Sequence, residues 1–252
     1  MREILIIGNK PYTHLDMMKL LDSFEFNHRC NMALPNKNNG SILDNLALCA
    51  HLYENLIIKK LDSKEFIQEY MKEYKEDQIE DFLLNFNPLL YNKIYYADNF
   101  EKNTQKFNKS LEQSGCPYKF SKMPRTGYTS LFENLIAGEK VFVSNFSIYD
   151  EERVTYYVKP EKYENLNCHS KEEEVLILGW LHNNGKIDAS LCLLDDTEIA
   201  TFNCKRFSPT IKIIDLVLES HGKCLFKDLQ DAKYLDDYDP KISQDSIVIY
   251  KR

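Results

Sequence analysis

His169-Ser170-Lys171 stands directly before a stretch with helical periodicity and directly after one with none. An imidazole there can take a proton from an attacking hydroxyl, so His169 is a candidate general base. The alternative is a lone histidine with a packing role. Pro124-Arg125-Thr126-Gly127-Tyr128-Thr129 opens another helix. The N–H groups of a helix start attract anions, and Arg125 adds a charge, which reads as a phosphate or carboxylate site over Arg125, Thr126 and Gly127. Plain N-capping by Thr126 or Thr129 is the competing reading. Gly8-Asn9-Lys10-Pro11 closes a first apolar run. Gly8 lets a ligand approach the backbone and Asn9 offers an amide that donates and accepts, while a simple strand-ending turn explains the same residues. Arg29-Cys30-Asn31 closes a second run and suits either a nucleotide or a surface ion pair with a turn asparagine.

The elements that must position these residues follow from periodicity. Residues 3–7 form a short continuous apolar run, the pattern of a strand buried on both faces of a parallel sheet. A helical stretch around 15–21 follows, then strands at 24–27 and 46–49. Residues 63–84 carry the clearest helical pattern, from an N-cap at Ser63, with a Lys/Glu-rich outer face. Strands are expected at 94–97, 141–144 and 189–193, and helices at 99–114, 129–138, 171–184 and 209–220. The tail at 246–250 reads as an edge strand. This alternation predicts an α/β, Rossmann-like, doubly wound and mostly parallel sheet. Residues 146–170 are rich in Tyr, Lys and Glu without periodicity, which predicts a small lid insertion. No repeat or linker divides the chain, so one domain over 1–252 is expected.

The net charge of −7 argues against a nucleic-acid partner, which usually requires a basic excess. The seven cysteines lack any Cys-x-x-Cys pair, which argues against a zinc ribbon or disulfide framework and for thiols packed as small hydrophobes in a reducing compartment. The N-terminal apolar run is too short for a signal peptide or a span, so a cytoplasmic location is expected, with room for peripheral contact at the inner membrane face.

Four segments in order carry a resemblance. Ile6-Ile7-Gly8-Asn9-Lys10-Pro11, Phe26-Asn27-His28-Arg29-Cys30-Asn31, Arg125-Thr126-Gly127 through Gly138 to Ser144, and Cys168-His169-Ser170-Lys171 together resemble the bacterial sialyltransferases of glycosyltransferase family 42, which decorate lipooligosaccharides. The likeness is spread over roughly 4–195 and is poor between about 55 and 120. It implies an inverting, metal-independent glycosyltransferase without a cofactor, with a CMP-activated sugar donor and a glycan or glycolipid acceptor. Homo-oligomers are common in the family. Carried over, Asn9 and Asn31 would contact the CMP moiety, with Gly8, Thr126, Gly127 and Ser170 at the same donor site. Arg125 would lie near the donor. Tyr149 and Tyr156 (or Tyr157) would hydrogen-bond the departing phosphate, and His169 would be the base. The chain departs from the family pattern at Lys10, Tyr12, His51, Asn145-Phe146-Ser147 and Leu166.

Two other readings stand beside this one. A metal-dependent transferase would use Asp195-Asp196 or the Asp237 and Asp239 pair, both of which also read as helix starts or polar turns. A transferase fold without chemistry would serve as a nucleotide-binding module, and a different nucleotide sugar would fit the same frame.

Overall fold

The structure is a computed structural model and describes residues 1–10, 12, 14–31, 33–60, 65, 82–96, 100–148, 169–227, 238–242 and 247–250. Most of the helix expected over 63–84 lies outside these residues, as does the lid apart from 146–148 and 169–170.

Five parallel strands form the central sheet: β1 (Glu3–Ile7), β2 (Phe26–Cys30), β3 (Asn45–Leu48), β4 (Lys93–Tyr96) and β5 (Lys140–Ser144). Their order is β4-β3-β2-β1-β5. The chain steps outward from β1 to β4, then returns to place β5 on the other flank of β1. The fold is thus α/β and Rossmann-like. The strand order reverses between β1 and β5, where open α/β sheets form a crevice beyond the carboxyl ends of their strands. The register sets those ends level. Ile7 pairs with Arg29 on one side and Ser144 on the other, and Cys30 pairs with Ala47. Gly8, Asn31 and Asn145 therefore emerge along one edge.

Helices follow from the same pattern. After the short α1 (Met18–Leu21), α2 (Ala50–Tyr53) runs into a π-helical turn at Glu54–Ile58. Next come α3 (Phe100–Gln113) and α4 (Thr126–Ile136), which packs across β1, β2, β3 and β5. Then follow α5 (Lys171–Asn183) and α6 (Ile211–His221), the latter ended by Gly222 in the left-handed conformation at φ 75°.

A second five-stranded sheet, absent from the sequence-based expectation, closes the molecule. It comprises β6 (Leu194–Asp195), β7 (Thr201–Asn203), β8 (Lys223–Lys227), β9 (Asp239–Ile242) and β10 (Ile247–Tyr250), in the order β6-β7-β8-β10-β9. The tail strand is consequently interior, not an edge: β10 pairs with both β8 and β9, which accounts for its apolar Ile-Val-Ile run. The strand expected at 189–193 is a 3₁₀ turn at Ser190–Leu193. The Asp188 carboxylate causes it, accepting from the backbone N–H (2.9 Å) and hydroxyl (2.5 Å) of Ser190 and so bending the chain. Residues of both sheets, among them Leu5, Phe142, Phe202, Phe226 and Ile249, join one hydrophobic cluster. Six cysteines among the described residues are free thiols. Burial pushes the Cys30 thiol up to about 12. No helix among the described residues is long and apolar enough to cross a membrane.

One polar cluster lies inside the sheet layer beneath α4. The buried His28 ring has Asn45 Nδ2 at 2.9 Å from its Nε2, and the Tyr95 hydroxyl at 3.4 Å from its Nδ1. Tyr95 in turn meets Ser130 Oγ at 2.7 Å. Desolvation, then the charges of Arg2 and Lys93, lower the His28 pKa to about 4. The unfolded chain takes a proton on this ring near its ordinary pKa of about 6.5 while the native state does not, so stability is full above that pH and is lost as pH falls toward 4. Urea unfolding is expected to show a loss of order 2–3 kcal/mol over that window, and the loss should shrink in a His28→Gln protein. An equal pH dependence in both proteins would contradict a neutral buried His28.

Candidate active site

The turns that follow β1 and β5 hold one another. Gly8 N–H donates to the Ser144 carbonyl at 2.9 Å, and Lys10 N–H to the Asn145 carbonyl at 2.7 Å. Asn145 returns a bond from its amide to the Lys10 carbonyl at 3.0 Å. It does so from the left-handed region, φ 59°, which asparagine tolerates better than most residues. Its side-chain oxygen is held by the Ser144 hydroxyl at 2.6 Å. Lys10 and Tyr12 dock onto the 3₁₀ turn. The Lys10 ammonium reaches the Leu194 carbonyl at 3.4 Å, and the Tyr12 hydroxyl reaches the same oxygen at 3.0 Å. These two departures from the family pattern thus tie the first turn to the C-terminal sheet.

Gly8 is needed for a neighbour within the protein. A Cβ there would lie 2.5 Å from the Asn145 carbonyl oxygen and 2.6 Å from Cδ1 of Phe146. The same ring faces the start of α4, where a Cβ on Gly127 would lie 2.6 Å from Phe146 Cζ. Phe146 is wedged between two bare α-carbons, with the Tyr128 ring 5.3 Å away. The space above Gly8 that the sequence offered to a ligand is therefore occupied, at this depth, by Phe146.

Asn9 follows half-buried along the same edge. Asn31 sits one strand over at φ 53°. Its side-chain oxygen accepts the Cys49 N–H at 2.8 Å and so fixes the chain entering α2. Arg29 is fully buried, so it is not a surface ion pair. Its guanidinium donates to the Ile42 carbonyl (2.9 Å) and the Asn39 side-chain oxygen (3.1 Å), bracing the 33–42 loop.

The α4 start and the α5 start are joined. Neither Thr126 nor Thr129 caps α4: Arg125 occupies the N-cap position without a side-chain cap bond, and both threonines are buried. The Glu174 carboxylate serves that helix end instead. It accepts the Arg125 N–H at 2.7 Å and Nε at 2.5 Å, with a further contact to Nη2. Glu174 is 1 % exposed, so the anion inferred at this helix start is present as the protein's own carboxylate, and the Arg125 charge is matched. Glu173 accepts the backbone N–H (2.9 Å) and hydroxyl (2.5 Å) of Ser121. Ser170 N-caps α5, its hydroxyl accepting the Glu173 N–H at 3.3 Å. His169 Nδ1 lies 2.6 Å from the Met123 carbonyl oxygen. A carbonyl only accepts, so Nδ1 carries the hydrogen and the neutral ring's lone pair is on Nε2, the arrangement a base requires.

The structure thus brings Gly8, Arg125, Thr126, Gly127, His169 and Ser170 together through Phe146 and the 121–125 segment, with Asn31 farther along the edge. Tyr149, Tyr156 and Tyr157 lie outside the described residues. Asp195 pairs with Lys227 at 3.7 Å, and Asp196 accepts the His14 N–H at 2.8 Å. Among the described residues no group of three His, Cys, Asp or Glu side chains is placed to hold a metal ion. His182, Asp188 and Ser190 imitate a catalytic triad in composition only. The His182 ring nitrogens engage the Ser208 carbonyl (2.8 Å) and the Ala189 N–H (3.1 Å), and desolvation lowers its pKa. Sequence reasoning missed Phe146, Glu173 and Glu174 as parts of the site. Glu174 had a signal: it falls on the same helical stripe as the buried Leu178 and Leu181, where an unpaired acid would be untenable.

No protein-family model matches the chain, and no curated protein does either. Among solved structures the fold is similar to that in the crystal structure of an alpha-2,3-sialyltransferase from Campylobacter jejuni in apo form. That match has 19% identity and a TM-score of 0.40, and covers 84% of this chain and 81% of that one. A likeness this loose leaves substrate and chemistry to be argued from the residues.

The Phe146 wedge carries a test. Gly8→Ala should destabilise the protein by roughly 1–3 kcal/mol, because the nearer obstacle is a backbone oxygen that cannot rotate away. Chemical denaturation would measure this, and an unchanged midpoint would contradict the packing described.

Proposed function

We propose that this chain is an inverting, metal-independent glycosyltransferase moving a sialic-acid-like sugar from a CMP donor to a hydroxyl of a glycan acceptor, in family terms a lipooligosaccharide. The observation that carries the reading is the His169 tautomer: a histidine held at Nδ1 by the Met123 carbonyl has its lone pair on Nε2, where it can abstract a proton. The order of the four resembling segments along the chain supports it.

In the proposed reaction Nε2 of His169 takes the proton of the acceptor hydroxyl as its oxygen attacks the anomeric carbon of the donor sugar. The bond from that carbon to the CMP phosphate oxygen breaks from the opposite face, and configuration inverts. Negative charge collects on the departing phosphate, which Tyr149 and Tyr156 would stabilise by hydrogen bonding. Asn9 and Asn31 would hold the nucleotide. Arg125, already paired with Glu174, would set the position of the first turn of α4. The whole chain would act as one nucleotide-sugar-binding domain, at a cytoplasmic or inner-membrane location where glycolipid acceptors are built.

One observation favours a second reading, a nucleotide-binding module without chemistry: Phe146 occupies the depth of the crevice between Gly8 and Gly127.

The test is a transfer assay with a CMP-activated sialic acid in the presence of a chelator. The wild-type protein should transfer, and His169→Ala should retain CMP binding while losing about 10²–10⁴-fold in rate. Wild-type rates in the variant, or a requirement for a divalent cation, would overturn the proposal. CMP binding without any transfer would favour the module.

A further inference from the structure

Residues Ser121, Met123 and Arg125 alternate along one short segment, and each is grasped from the beginning of α5. Glu173 takes the N–H and hydroxyl of Ser121, His169 takes the carbonyl of Met123, and Glu174 takes the N–H and guanidinium of Arg125. The middle contact is the one that sets the imidazole. The two flanking contacts are each at least bidentate and charge-assisted, the stronger kind of hydrogen bond.

We propose that Glu173 and Glu174 are positioning residues for His169: they clamp the 121–125 segment so that the Met123 carbonyl holds the hydrogen on Nδ1 and leaves Nε2 basic. The inference rests on the transferase reading only for its effect on rate. The geometry of the ring stands without it.

The physical reason for such a clamp lies in the imidazole itself. In water the neutral ring favours the tautomer with hydrogen on Nε2, the wrong one for a base acting through that atom. A single carbonyl must reverse this preference, so the carbonyl has to stay within hydrogen-bond reach and in line. The 121–125 segment belongs to no helix or strand, and Met123 has no backbone partner in a sheet to steady it. The carboxylates on either side supply that restraint. Both stand in the first turn of α5, and Ser170 fixes where that turn begins, one residue after His169. A purely stabilising role would require the helix start and the ion pair but would place no demand on the register between 121–125 and the ring.

The test is nitrogen NMR on full-length protein labelled at the imidazole nitrogens, with the His169 signals assigned by their loss in His169→Asn. Wild-type protein near pH 8 should show a protonated Nδ1 and an unprotonated Nε2. Glu173→Ala removes the Ser121 grip while leaving the Arg125–Glu174 pair intact, and is chosen because Glu174→Gln strands a buried arginine and threatens folding. In Glu173→Ala the His169 shifts should move toward the Nε2-protonated form. Glu173→Gln, which keeps one acceptor, should restore them in part. Where transfer is measurable, Glu173→Ala should lower kcat roughly tenfold or more with the CMP Kd unchanged. Wild-type shifts in both Glu173→Ala and Ser121→Ala would overturn the positioning role, whatever the protein's activity. A protein that shifts its tautomer but shows no transfer would retain the clamp and lose the transferase reading.

Discussion

Phe146 lies between two α-carbons that carry no side chain, and the site is assembled around that ring. On one side is the turn after β1, on the other the first turn of α4, and the ring reaches both because Gly8 and Gly127 leave it room. The reciprocal bonds between Lys10 and Asn145 then lock the two turns at the point where strand order reverses. A Rossmann-like sheet opens a crevice there, and in this chain the floor of that crevice is an aromatic side chain from the turn after β5.

The electrostatics of the same region are arranged internally. Arg125 is the cation at the start of α4. It is bound to a buried glutamate, so what the α4 start offers is a held geometry more than a bare charge. Breaking such a pair strands a charge in a poor solvent, typically at 3–5 kcal/mol, which makes the pair a strong joint between α4 and α5. That joint, with the Glu173 grip and the Met123 carbonyl, transmits the position of one helix start to the ring that precedes the other.

The central sheet was legible chiefly through β1, β3 and β5, which hold short apolar runs, whereas β2 is the mixed run Phe-Asn-His-Arg-Cys. β1, β3 and β5 were expected within one residue of where they lie, and β2 within three. The C-terminal sheet was not. β7 has three residues and β8 is the mixed run Lys-Cys-Leu-Phe-Lys, too short and too polar at its ends to show a period. Asp188 turned an apolar strand-like run into a 3₁₀ turn by bonding Ser190, a local competition that composition does not reveal. In the candidate site, Gly8, Asn31, Arg125 and His169 could be singled out from residue type and position. Their partners could not, because Glu174 and Met123 are 46 to 49 residues away in sequence and meet them only through folding. Gly8 illustrates the difference: its need for space was readable, but the occupant was not.

On the proposed function, a cytidine nucleotide binds over the switch-point edge between β1 and β5. Hydrogen–deuterium exchange with CMP, and in parallel with UMP and GDP, without divalent cations, tests it directly. CMP-selective protection is expected in the segments containing Gly8 to Lys10, Asn31, and Arg125 to Tyr128. Protection confined to another face, or equal protection by all three nucleotides, would contradict it.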